Sequence, residues 1–123
     1  DGITANAKAL GAIRYATSKV KIGQYVWSMS GPTKFDCSGL MLAAYRSVGI
    51  NLPHSSQAQS RLGRAVSKAD LKPGDLIFWY HPIHHVGMYI GNGEVIHSPQ
   101  TGDVVKISKL DAMGPISGTG RYT

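Results

Sequence analysis

Apolar residues keep a helical rhythm through the first half of this chain and fall into strand-like blocks in the second. Ile3, Ala7, Leu10, Ile13 and Thr17 recur at three- and four-residue steps, predicting a first helix from Ile3 to about Lys19 that closes before Gly23. Leu40, Ala44, Tyr45 and Val48 repeat the spacing and predict a second helix. Gly49 stands where a left-handed C-terminal stop is needed, and Asp36 or Ser38 is suited to cap the start. Between the two, Gln24-Tyr25-Val26-Trp27 has strand-forming residues and leads through the loop Ser28-Met29-Ser30-Gly31-Pro32 toward the second helix. Tyr25 and Trp27 either line a cleft beside that helix or fill the core. After Gly49, the turn from Asn51 to Ser56 feeds a short polar helix, Ser56 to Leu62, capped by Ser55 or Ser56. Its Gln57, Gln59 and Ser60 suit a polar groove or a solvated face.

The rhythm changes at Lys72-Pro73-Gly74-Asp75, a turn by its residue types. Leu76 to Tyr80 is a continuous apolar run too short for a helix, and His81-Pro82-Ile83-His84 follows as a loop. His85 to Ile90, Glu94 to Ser98 and Val104 to Ile107 read as further strands, and the tail around Gly118, Gly120, Arg121 and Tyr122 as an edge strand. Helices first and an antiparallel meander after them predict an α+β domain, with helices packed on one face of a curled antiparallel sheet of about five or six strands. The helical part is expected over residues 1–65 and the sheet part over 72–123, within a single domain spanning 1–123.

The hairpin after His85 decides where a second histidine points. A two-residue Asn92-Gly93 turn pairs Gly91 with Glu94 and puts His97 on the face opposite His85. A three-residue turn pairs Ile90 with Glu94 and sets His97 opposite Gly87, diagonal to His85 on the same face. The three-residue form is expected, because the alternative sends Val86, Met88 and Ile90 toward a buried polar His97.

Composition and charge exclude several classes of function. Apolar residues make up 42% of the 123 and charged residues 16%, a globular balance. No run approaches the ~20 apolar residues of a membrane-spanning helix, and no signal peptide is present. The chain begins at Asp1 without a methionine, so a mature or excised piece is expected. A net charge of +6 favours polyanions such as nucleic acid, anionic lipid or acidic wall polymers. Lys8, Arg14, Lys19, Lys21, Lys34, Arg46, Arg61 and Arg64 are nevertheless scattered, without interleaved aromatics, so no dedicated nucleic-acid site is expected.

The one cysteine, Cys37, changes the picture most. It cannot form an internal disulfide, and it falls in or just before the first turn of the second helix. Unpaired N–H groups and the positive end of the helix dipole favour thiolate there. A lone cysteine is commonly a small core residue, so a nucleophile requires a base and an orienting group from elsewhere in the chain. His85 and His97, adjacent on one sheet face, supply both: one imidazole takes the thiol proton and the other fixes its tautomer. Zinc is the rival use of His81, His84, His85 and His97. Pro82 breaks any helix through that cluster, no carboxylate stands at metalloprotease spacing, and His84 and His85 face opposite ways in a strand. No metal site is expected.

Five stretches in order, Tyr25-Val26-Trp27, Asp36-Cys37-Ser38-Gly39-Leu40, Leu52-Pro53-His54-Ser55-Ser56-Gln57, Lys72 to Phe78, and His85 to Gly93 with Ile96-His97, resemble the NlpC/P60 family. These are papain-like cysteine peptidases that cut bacterial peptidoglycan stem peptides. The resemblance implies Cys37 as nucleophile, His85 as base and His97 as the third polar residue. It implies that Tyr25 helps a backbone N–H at the helix start hold the oxyanion, that Asp36 and Ser38 bind the stem peptide's amine, and that Ser56 touches the substrate. It further implies cleavage between D-isoglutamate and the diamino acid, usually meso-diaminopimelate. No cofactor is implied. The expected setting is extracellular, periplasmic or at the cell wall, as a monomer, with anionic wall polymers as candidate partners of the basic surface. Ser28-Met29-Ser30 departs from the glycine pair that often follows Tyr-Val-Trp in the family, so the groove's shape is expected to differ. The alternatives are a non-catalytic peptidoglycan-binding module on the same fold, and an amidase or acyltransferase using the same cysteine and histidine chemistry.

Overall fold

A computed structural model describes residues 6–123, so the first helix's expected start at Ile3 lies outside the described residues. Helix α1 spans Ala7–Ser18, and the Asn6 side chain caps it by accepting the Ala9 N–H at 3.0 Å. Ala9, Ala12 and Ala16 form its buried face, and such small residues bring it close to the second helix, α2 (Cys37–Arg46). On α2, Leu40, Ala44 and Tyr45 are fully buried. Gly49 is left-handed at φ +84, with its N–H bonded to Arg46 O and the Ile50 N–H to Tyr45 O. This pair of bonds is the Schellman arrangement the glycine foretold.

The segment between these helices differs from expectation. Only Gln24–Tyr25 is a strand (β1), and it pairs in parallel with Lys34–Phe35 (β2), an element not anticipated. Two-residue strands carry no period to read. Helix α3 covers Ser56–Ser60, two residues short of Leu62, and Ser55 is its cap. Gln59 is fully buried, its Nε2 donating to Ser38 O at 3.0 Å and Pro53 O at 2.9 Å. It therefore braces the start of α2 from beneath and does not line a groove.

The main sheet contains β3 (Leu76–Trp79), β4 (His85–Gly91), β5 (Glu94–His97), β6 (Lys106–Lys109) and β7 (Ile116–Gly120). The order is β6-β5-β4-β3-β7, antiparallel throughout, so the tail returns as an edge strand beside β3. Strand β3 is buried on both faces, which is why its sequence does not alternate. Leu76 and Phe78 join the main core with Leu40, Tyr45, Val86 and Met88, while Ile77 and Trp79 pack with Val95 and Leu110 on the other face. Tyr80, expected in β3, leaves it with φ 77. The strand expected over Val104 to Ile107 lies two residues later. Val105 instead exchanges hydrogen bonds with the backbone of Lys21 and Gly23 at 2.8 Å and is buried in the main core.

The hairpin also departs from the expected three-residue form. Gly91 pairs with Glu94 across a two-residue Asn92-Gly93 turn, both turn residues having positive φ. A bulge between Tyr89 and Gly91 then shifts the register, so that Tyr89 pairs with Val95 and Met88 with Ile96. The extra residue restores the lost parity. His97 reaches the face of His85 by a route neither simple turn provides.

Candidate active site

Cys37 is the first residue of α2, directly after the N-cap Asp36. The Asp36 carboxylate is 5% exposed and fully occupied. One oxygen accepts the Gly39 N–H at 2.7 Å and lies 2.8 Å from His54 Nε2; the other accepts the Ser28 N–H at 2.9 Å. One side chain thus fixes the helix start and the preceding loop to each other. Gly39 is needed there, because a Cβ would sit 2.0 Å from Met29 O. The Ser38 hydroxyl also turns toward Asp36, at 3.4 Å.

The cysteine sulfur meets the backbone just ahead of β4. Sγ lies 3.8 Å from the His84 carbonyl oxygen. His85 Nε2 is 2.9 Å from His97 Nδ1, and His97 Nε2 is 2.9 Å from Ser108 Oγ on β6. Trp79 packs under His85 with ring centroids 5.4 Å apart. Gly87 makes room for the second ring, since a Cβ there would stand 3.2 Å from the His97 Cβ and 3.4 Å from Trp79.

Burial sets the charge states. It lowers both His85 and His97 to about 4, helped at His85 by the neighbouring His97 and His84, and at His97 by Lys106. Burial raises the Cys37 thiol, and Asp36 adds to this, against the opposing N–H groups of Val86, Ser38 and Cys37 itself. The expectation that the helix start favours thiolate is therefore corrected. Desolvation is the largest influence on Cys37 and works against ionisation, outweighing the N–H groups at the helix start.

The remaining predicted site residues gather around this line. Tyr25 is half-buried and lines the cleft, its hydroxyl pKa raised by burial and then by Cys37 and Asp36. Trp27 is 78% exposed and contributes to the cleft, not to the core. On one side of Trp27 and His84 the cleft is walled by Asp36, Cys37, Ser38, His54 and Ser56; on the other by Tyr25, Tyr80, His85, His97 and Gln100. His54, Trp79, Gly87 and Ser108 were not singled out as site residues by the sequence. His54 and Gly87 lie in recognised motifs, but Trp79, Gly87 and Ser108 act through strand register, which the sequence leaves open.

Neither His81 nor His84 joins the hydrogen-bonded line of His85 and His97, although His84 neighbours His85 and borders the same cleft. His81 faces Ser117 at 3.3 Å, and His84 stacks on Tyr80 at 4.3 Å. Among the described residues, no three or more His, Cys, Asp or Glu side chains come together to hold a metal ion. Among the same residues, no helix is long and apolar enough to cross a membrane.

Comparison with known proteins identifies the family and the fold. The NlpC/P60 family matches residues 23–117. A probable endopeptidase of Mycobacterium tuberculosis is 44% identical over 98 residues, covering 80% of this chain and 26% of that protein. A gamma-D-glutamyl-L-lysine dipeptidyl-peptidase of Bacillus cereus is 44% identical over 115 residues, covering 86% of this chain and 34% of that protein. The chain thus spans well under half the length of either relative. Among solved structures, the NlpC/P60 domain of the peptidoglycan hydrolase SagA superposes with a TM-score of 0.85 at 29% identity, covering 96% of this chain and all of that one. An NlpC/P60 family protein from Bacillus cereus gives 0.88 at 38% identity, covering 99% of this chain and 42% of the other.

Proposed function

The chain belongs to the NlpC/P60 family, and from that premise we propose that it is a peptidoglycan hydrolase, a cysteine endopeptidase whose nucleophile is Cys37. The observation that carries this reading is the placement of the Cys37 sulfur against the His84 carbonyl, one residue before the His85 ring that is bonded to His97. His85 Nε2 is engaged by His97, which leaves Nδ1 to accept the thiol proton. Sγ then attacks the carbonyl carbon of the scissile amide. The oxyanion is held by the Tyr25 hydroxyl and a backbone N–H at the start of α2. His85 returns its proton to the leaving amine nitrogen and a thioester remains. Water, deprotonated by the same ring, hydrolyses the thioester and restores the thiol.

The scissile bond is proposed to join D-isoglutamate to the diamino acid of the stem, meso-diaminopimelate in the first instance. Asp36, Ser38 and Ser56 line the side of the cleft proposed for the stem's amine. The proposed setting is the cell wall, outside the cytoplasm, with residues 1–123 acting as one monomeric domain. Anionic wall polymers are proposed as partners of the +6 surface.

Digestion of purified peptidoglycan, followed by mass analysis of the soluble products, tests the proposal. Wild type is expected to release fragments cut at the isoglutamyl bond, and Cys37→Ala none. Full activity in Cys37→Ala would overturn the mechanism. Fragments cut beside the sugar would make the protein an amidase. Co-sedimentation with wall, without soluble product, would make it a binding module.

A further inference from the structure

The hydrogen-bonded line that begins at His85 does not end at His97. It continues to the Ser108 hydroxyl on the edge strand β6, two residues along from Lys106, the partner that pairs with His97. Both links measure 2.9 Å, and His97 is only 4% exposed. A single choice of proton position therefore runs through all three side chains.

If His85 Nδ1 is to accept a proton, the proton of His85 must sit on Nε2, where it donates to His97 Nδ1. His97 must then carry its own proton on Nε2 and donate it to Ser108 Oγ. In the opposite direction Ser108 donates to His97 Nε2, His97 donates from Nδ1 to His85, and the proton of His85 is left on Nδ1. A His85 in that form cannot take the thiol proton. The charged groups facing His97 are Lys106 and Asp103, which pair with each other at 2.9 Å. Neither is hydrogen-bonded to the ring. Ser108 is the one side chain bonded to the outer nitrogen of His97 among the described residues.

We propose that Ser108 is a positioning residue for the reaction, accepting the His97 Nε2–H and so keeping His85 in the tautomer that can receive the Cys37 proton. This rests on the reading of Cys37, His85 and His97 as the reacting groups. With the oxygen 2.9 Å from Nε2 and accepting its N–H, the contact strengthens as positive charge develops on His85 during attack. Ser108 does not line the cleft, so its effect is expected on turnover and not on binding.

The test compares wild type with Ser108→Ala, Ser108→Thr and Ser108→Asp in stem-peptide hydrolysis, together with imidazole 15N NMR of each. Ser108→Ala is expected to lower kcat about three- to tenfold with KM within twofold, the range set by loss of one neutral hydrogen bond. Threonine keeps the hydroxyl and is expected to restore most of the rate. Aspartate can only accept at neutral pH and is expected to move the acid limb of the pH–rate profile upward, by stabilising charge on the histidine pair. In wild type, the spectrum is expected to show His97 protonated at Nε2 and unprotonated at Nδ1. An Ser108→Ala enzyme with wild-type kcat and pH profile would overturn the proposal, as would His97 protonated at Nδ1. Cys37→Ala keeps the two questions apart, since activity surviving there would defeat the mechanism itself, whatever Ser108 does.

Discussion

At the scale of single residues, burial disfavours charge on the candidate histidine pair. Two imidazoles are packed against each other and against Trp79, where burial holds both near 4. Neutral imidazole is the form that takes a proton, so the base stays competent far below the range of an exposed histidine. Hydrolysis is expected to persist as the pH is lowered through 6.5 and to fall by half only near 4. A pH–rate profile with its acid limb at 6.5 would contradict the burial. The same shift bears on stability. The folded pKa lies below the unfolded 6.5, so the stabilisation is full above 6.5 and is lost as the pH falls toward about 4. Urea midpoints at pH 7 and pH 4.5 should show this loss, and the loss should shrink in His97→Asn. The identities of Cys37, His85 and His97 were legible in the sequence as chemistry-bearing residues. Their charge states were not, because desolvation is a property of what surrounds a side chain.

At the scale of elements, the start of α2 holds the cleft open. Asp36 caps the helix and also anchors Ser28, whose backbone sits at φ 69, a conformation that needs outside support. Asp36→Ala removes the cap and strands the Ser28 N–H, and is expected to cost about 2 kcal/mol or more in denaturant unfolding. A loss of a few tenths would mean the loop is held by something else. The helix and its cap could be read from residue spacing because helix caps and stops are local devices. The hairpin could not. Its two-residue turn followed the Asn-Gly signal, while the bulge at Ile90 has no signature in the residues themselves and is selected by how the strands pair. The face of His97 was expected correctly, from the cost of pointing three apolar residues at a buried imidazole, although the turn invoked for it was not the one formed.

At the scale of the whole molecule, the tail closes the structure over the sheet. Strand β7 pairs with β3, and Arg121 just beyond it grips Asp75, at the turn into β3, through bonds of 2.8 and 2.7 Å. Asp75 is 2% exposed, so Arg121→Ala leaves a buried carboxylate without its counter-charge. A loss of about 3 kcal/mol is expected in urea unfolding, with specific activity of the folded fraction retained. An unchanged midpoint would show that the pair is dispensable. The order of helices and strands, the ends of α2, the unbroken apolar strand and the candidate nucleophile with two candidate histidines are legible in the chain alone, since period, caps and residue chemistry are carried by neighbouring positions. That burial works against ionising Cys37, that His97 bonds His85, that Gln59 is a brace and not a groove residue, and that Ser108 stands behind His97 were decided only in the folded protein. Each depends on distances between strands and helices far apart in sequence, and on how much water their packing excludes.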